Sequence, residues 1–144
     1  MPERMKGNEG FTLVELMVVL VIIGLATAAV VLAIPEPGGS LHGEAVRFAA
    51  RAGAARDQAI LESRTVAVQI GQGGYEVSRR ADGAWQTEAH YDWVDRTSPE
   101  VAGAGAGTIR FDSTGLAEPA VVTLRRGDRR AAIEIGSDGG VHVR

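Results

Sequence analysis

The side chains that could support catalysis are spread along the chain without the spacing that such chemistry needs. His42, His90 and His142 stand far apart and form no pair at metal-ligand spacing. No serine lies in the glycine pattern that exposes a nucleophile between a strand and a helix. The chain has no cysteine, which excludes a disulfide scaffold, a thiolate metal site and a cysteine nucleophile. The sequence therefore predicts no enzyme, with no catalytic residue, no metal and no cofactor.

Two short stretches resemble binding motifs only in part. Asp92, Asp95 and Glu100 could supply oxygen ligands to calcium, but their spacing matches no known calcium loop. The glycine-rich run at 103–107 lacks the preceding strand and following helix of a dinucleotide-binding turn. We predict instead that residues 89–107 form an irregular, exposed loop with solvated acidic side chains.

Arginine pairs are the third possible site, because guanidinium groups can bind nucleic-acid phosphates without reading sequence. The three pairs are Arg79-Arg80, Arg125-Arg126 and Arg129-Arg130. The formal net charge of the chain is −3, and acidic residues such as Asp128 and Glu134 lie among the pairs. We interpret the arginines as solvated hairpin ends and expect no nucleic-acid partner.

The most distinctive stretch is the apolar run at 11–34, which contains no proline and a single charge, Glu15. As a helix it would extend roughly 36 Å, enough for a bilayer core of about 30 Å. An ordinary membrane anchor has no use for a carboxylate one turn inside the run, where it costs about 2–3 kcal/mol or more. A secretory signal cut near Ala26-Thr27-Ala28 is the other alternative, and it also leaves Glu15 unexplained. Arg4 and Lys6 precede the run, and the positive-inside rule predicts that they stay cytoplasmic.

The remainder of the chain predicts an α+β domain. The prolines and glycines at 35–39 break the first helix, and Ser40 is a suitable N-cap for a second helix at 41–63. Small apolar residues recur there at helical spacing: Leu41, Ala45, Phe48, Ala52, Ala55 and Ala59, with Ile60 beside them. From 65 to 144 the period changes to two, and turns separate short strands. The strands are expected at 65–70, around Tyr75 and Val77, and at 85–88, 108–111, 121–126, 131–135 and 141–143. We predict that the second helix packs on antiparallel sheet.

The stretch Gly10-Phe11-Thr12-Leu13-Val14-Glu15-Leu16 resembles the class III signal of type IV pilins and type II secretion pseudopilins. The resemblance implies that 1–10 is a leader and that a prepilin peptidase cuts between Gly10 and Phe11. It also implies that Phe11 is then N-methylated and that Glu15 is the assembly glutamate. The pilin-like fold of the family has a long N-terminal transmembrane helix, here 11–34, followed by a second helix packed on antiparallel sheet.

Three further motifs are similar to the domain of type II secretion minor pseudopilin H. They are Ala55-Arg56-Asp57-Gln58-Ala59-Ile60 followed by Val66-Ala67-Val68, then Phe111-Asp112-Ser113-Thr114-Gly115, and a closing Ile133-Glu134-Ile135 to Gly139-Gly140-Val141. The resemblance implies a single-pass inner-membrane protein with a cytoplasmic N-terminus and a periplasmic domain at 40–144, which serves as a structural subunit of the pseudopilus used in protein export. Its implied partners are the prepilin peptidase, minor and major pseudopilins, the inner-membrane secretion platform and the exported protein. The alternative is a minor pilin of a type IV pilus that acts in pilus assembly or DNA uptake.

Overall fold

The computed structural model describes residues 11–33, 39–94 and 96–144. The chain divides into two compact units, Met1–Glu36 and Pro37–Arg144. The predicted leader at 1–10 and most of the predicted break at 35–39 lie outside the described residues.

The described part of the first unit forms one helix, α1 (Leu13–Ala33). Its stretch Leu13–Val30 is long and apolar enough to cross a membrane, and none of it is buried inside the protein. Large apolar side chains stay exposed through this stretch, from Leu13 to Val30. Such a surface is stable in lipid and costly in water.

The second unit opens with α2 (Leu41–Glu62). Ser40 caps it as predicted, because its hydroxyl accepts a 2.9 Å hydrogen bond from the Gly43 backbone N–H. The helix ends at Ser63, which takes the left-handed conformation with φ of 50°. The predicted stripe from Leu41 to Ala59 is buried, but Ile60 is 41% exposed and does not belong to it. The alanines in the stripe let the helix approach the sheets closely.

Two four-stranded antiparallel sheets follow in the described residues. The first sheet has the order β3-β2-β1-β5 and the second the order β4-β6-β7-β8. The strands are β1 (Val66–Ile70), β2 (Gly74–Ala81), β3 (Ala84–Asp92), β4 (Ser98–Gly103), β5 (Thr108–Phe111), β6 (Ala120–Arg126), β7 (Arg129–Ile135) and β8 (Val141–Val143). The inner faces of both sheets and the buried stripe of α2 form one hydrophobic core. The α+β class and the helix packed on antiparallel strands are confirmed.

The prediction that residues 89–107 form an irregular, exposed loop is wrong. β3 continues to Asp92, β4 occupies Ser98–Gly103, and a short 3-10 turn follows at Gly105–Gly107. Pro99 is tolerated because β4 is an edge strand, where one row of backbone N–H groups needs no ladder partner. Trp93 and Ala104, expected to be exposed, lie in the core.

Candidate functional site

The N-terminal end of α1 holds the residues that the sequence singles out. The Thr12 hydroxyl accepts a 3.3 Å hydrogen bond from the Glu15 backbone N–H, and the Thr12 carbonyl accepts one from Leu16 at 3.2 Å. Thr12 therefore caps α1 and places Glu15 in its first turn, where the helix dipole favours a negative charge. Phe11 precedes the helix and is 80% exposed. Gly10 lies outside the described residues.

Glu15 has no cation beside it within the described part of the chain. Glu15 lies in the first turn of α1 and follows Phe11, which precedes the helix, by four residues. The amine created by a cut before Phe11 would be a short-range cation at this end of the helix. The arrangement can thus bind a positive charge.

A buried ion pair lies at the start of α2, and no pattern in the sequence predicted it. Glu44, only 4% exposed, is paired with Arg126 at the end of β6. The Thr97 hydroxyl donates a 2.9 Å hydrogen bond to the same carboxylate oxygen, Oε2. The other oxygen, Oε1, accepts a 2.7 Å hydrogen bond from the Val94 backbone N–H. The network joins α2, the segment between β3 and β4, and β6. Arg126 was predicted to be a solvated hairpin residue, and this is corrected here.

A second junction brings together one residue from each of the three motifs that resemble the pseudopilin H domain. Gly115 (φ 83°) and Gly139 (φ 74°) lie against the side chain of Arg56 on α2. The Arg56 Nε–H donates a 3.2 Å hydrogen bond to the Gly115 carbonyl. Ala117 N–H donates at 3.2 Å to the carbonyl of Ser137, which connects the loop after β5 to the loop after β7. The close approach of these two glycines to each other could not be predicted from the sequence.

Asp112 organises the first of these two loops. One carboxylate oxygen accepts hydrogen bonds from the Thr114 hydroxyl at 2.6 Å and from the Thr114 backbone N–H at 2.8 Å. These bonds from Thr114 lower the pKa of Asp112 below its ordinary value because they favour the charged form. The carboxylate fixes the loop that presents Gly115 to Arg56.

The described residues contain no group of three or more histidine or acidic side chains that could hold a metal ion. His90 comes nearest, with Nδ1 3.4 Å from a Glu76 oxygen and Nε2 3.0 Å from an Asp92 oxygen. All three side chains are exposed, so we interpret them as surface ion pairs. Asp95, the middle residue of the partial calcium motif, lies outside the described residues.

The other paired arginines differ in their surroundings. Arg79 forms a salt bridge to Glu62 at 3.3 Å, and Arg80 lies over the Trp85 ring at 5.4 Å. Arg125 pairs with Glu100 at 3.0 Å on an exposed surface. Arg129 and Arg130 are exposed beside the turn between β6 and β7.

A membrane-length first helix with Glu15 in its first turn, followed by a helix packed on antiparallel sheets, defines a pilin-like protein. A model of the prokaryotic N-terminal methylation motif matches residues 5–31, and the model of type II transport protein GspH matches residues 44–139. The chain belongs to the GspH family of type II transport proteins.

Individual relatives agree with this assignment. The type II secretion system protein H of Pseudomonas aeruginosa strain PAO1 is 28% identical over an alignment of 162 positions, gaps included, that covers 94% of each chain. The minor pseudopilin EpsH of Vibrio cholerae has a similar structure, with a TM-score of 0.60, 17% identity, and coverage of 69% of this chain and 92% of EpsH. The type IV minor pilin FimU of P. aeruginosa gives a TM-score of 0.61, 14% identity, and coverage of 72% of this chain and 87% of FimU.

The two structural likenesses are equally strong, so the fold alone does not separate the secretion and pilus systems. The GspH family match and the curated relative both favour secretion. The chain is therefore a minor pseudopilin of type II secretion, anchored in a membrane and assembled with other pseudopilins. The type IV pilus alternative fits less well.

Proposed function

We propose that the chain is made as a precursor and is cut between Gly10 and Phe11 by a prepilin peptidase, with N-methylation of Phe11. The support is the position of Glu15 in the first turn of α1 and the methylation-motif match across residues 5–31. The mature chain then begins with a charged amine at the N-terminal end of an apolar helix. Its role is structural and not enzymatic.

The proposed orientation has the N-terminus in the cytoplasm and the β-rich unit in the periplasm. Arg4 and Lys6 lie within a few residues of α1, and basic residues so close to a span favour the cytoplasmic side. The subunit waits in the inner membrane as a single-pass protein. The secretion platform then adds it to a periplasmic pseudopilus beside minor and major pseudopilins, where its folded unit can also meet the exported protein.

Glu15 sets the register of assembly in this proposal. In a lone subunit the carboxylate lies one turn inside the membrane and can reach water at the interface, so its cost is modest. Helices that pack side by side remove that water, and an unpaired buried charge then costs several kcal/mol. The Phe11 amine of the same or a neighbouring subunit can neutralise it. Docking positions that leave Glu15 without this amine are disfavoured.

The Glu15→Val variant tests this role. We expect cleavage, membrane insertion and the fold of the second unit to stay as in the parent chain, because Glu15 contacts only the start of α1. Incorporation beside partner subunits should fall by about tenfold or more, since a neighbouring amine loses its carboxylate. The measurement is cysteine crosslinking between α1 positions of this chain and its partners in membranes, with cleavage followed in parallel.

Met17→Val is the matched control, because it changes an exposed apolar residue half a turn further along the same helix and removes no charge. It should crosslink like the parent. If Glu15→Val also crosslinks and supports secretion like the parent, the electrostatic register is wrong.

A further inference from the structure

An arginine-rich surface lies at one end of the second sheet. Arg129 and Arg130 follow the turn at 127–128, and β-pairing places them opposite Arg126 and Arg125. Arg96 belongs to the same end, because the next residue, Thr97, accepts a hydrogen bond from Arg126 Nε–H at 3.1 Å. We name Arg96, Arg129 and Arg130 the hairpin patch.

The hairpin patch has an unbalanced positive charge. Its three arginines are exposed, and the described part of the chain gives none of them an ion-pair partner. The nearby acids are largely committed elsewhere: Glu44 is paired with Arg126 and Glu100 with Arg125. Asp128 in the turn is the remaining described acid at this end. Charged side chains without internal partners are available to an external anion.

The covalent chain limits how far the patch can lie from a membrane. Arg126 Nη1 donates a 2.7 Å hydrogen bond to the backbone carbonyl of Gly39. Gly39 follows Ala33, the last residue of α1, by about six residues, and a fully extended chain covers about 3.3–3.6 Å per residue. Gly39, which is bonded to Arg126 beside the patch, therefore lies at most about 20–22 Å along the chain from the end of the membrane-length helix.

We propose that the hairpin patch binds the phosphate headgroups of anionic lipids in the bilayer that holds α1. Guanidinium groups bind phosphate with paired hydrogen bonds, and each arginine near an anionic surface adds about a fivefold preference. The short connection keeps the headgroups at high effective concentration, an advantage that free nucleic acid does not have. Lipid binding holds the folded unit at the membrane surface before assembly and weakens when the subunit leaves for the fibre. The inference rests on the membrane anchor and not on the assembly role of Glu15.

The absence of cysteine allows a single reporter to be placed in the full-length chain. A nitroxide label on Asp128→Cys is read in nanodiscs of phosphatidylcholine and in nanodiscs with about one third phosphatidylglycerol. The collision rate with a water-soluble nickel complex should be at least about threefold lower on the anionic lipid and should recover in high salt. A label on Ser113→Cys, in the loop after β5 that packs near the C-terminal half of α2, should give the same collision rate in both lipids.

The Arg129→Gln/Arg130→Gln double variant should abolish the lipid dependence at position 128. The matched control is Arg64→Gln/Arg110→Gln, which removes two exposed arginines from other surfaces and should leave it unchanged. Equal collision rates in the two lipids would overturn the proposal. The proposal would also be overturned if the control variant lost the lipid dependence of the collision rate as fully as the double variant does. Salt-sensitive binding of duplex DNA to the same nanodiscs, without lipid dependence, would also overturn it and assign the patch to nucleic acid.

Discussion

Arg126→Ala is expected to destabilise the second unit by about 3–5 kcal/mol, because it leaves a buried carboxylate without its cation. Glu44 is 4% exposed, and its remaining partners are the Val94 N–H and the Thr97 hydroxyl. Those two neutral donors cannot balance a full charge. Urea unfolding of residues 40–144, followed by the fluorescence of buried Trp93, measures the loss. This segment contains the whole described core and should fold without α1.

Two further variants separate lost charge from lost packing. Arg125→Ala, one residue earlier, removes an exposed pair and should cost less than about 1 kcal/mol. Adding Glu44→Gln to Arg126→Ala should recover part of the stability, because the amide carries no charge to bury. If the added substitution recovers nothing, the unpaired carboxylate is not the cause of the loss.

Gly139→Ala should destabilise the same segment by about 3 kcal/mol, since it combines backbone strain with a steric clash. Gly139 has a φ of 74°, and an added Cβ would collide with the Gly115 carbonyl oxygen. It would also lie 2.9 Å from Arg56 Nε, the atom that donates to that carbonyl. The loops after β5 and β7 would have to separate, which breaks the junction at α2. Urea unfolding again provides the measurement.

Gly83→Ala is the control that measures backbone strain without a steric clash. Gly83 has a φ of 81° in the turn between β2 and β3, and no atom lies within 4 Å of an added Cβ. The substitution should lower the free energy of unfolding by only about 1–2 kcal/mol, the cost of holding a residue other than glycine in the left-handed conformation. Equal losses for Gly83→Ala and Gly139→Ala would show that close contact at the junction contributes nothing.

Periodicity and end signals predicted much of the second unit. The spacing from Leu41 to Ala59 identified the buried stripe of α2, and Ser40 is the cap it was expected to be. The change to a period of two after Arg64 correctly indicated strands. These features depend on residues close together in the sequence, which is why the sequence reveals them.

Contacts between residues that are distant in the sequence could not be predicted. Pro99 and the glycines at 103–107 indicated a loop, yet an edge strand accommodates Pro99. The period of the strands does not identify which strands pair, so the division into two sheets could not be predicted. Glu44 and Arg126 are far apart in the sequence, and each alone resembles a solvated surface charge. Only the folded chain brings them together.

The mass of the mature chain is the most direct test that it is processed and anchored as a pseudopilin. In cells that make a prepilin peptidase, we expect mass spectrometry to find a chain that begins at Phe11 and carries one methyl group. Gly10→Val should retain residues 1–10, because a branched side chain does not fit where the peptidase accepts glycine. A mature chain that begins near Thr27 or Ala29 would instead show that 11–34 is an ordinary signal peptide, and would contradict the proposed anchoring and assembly.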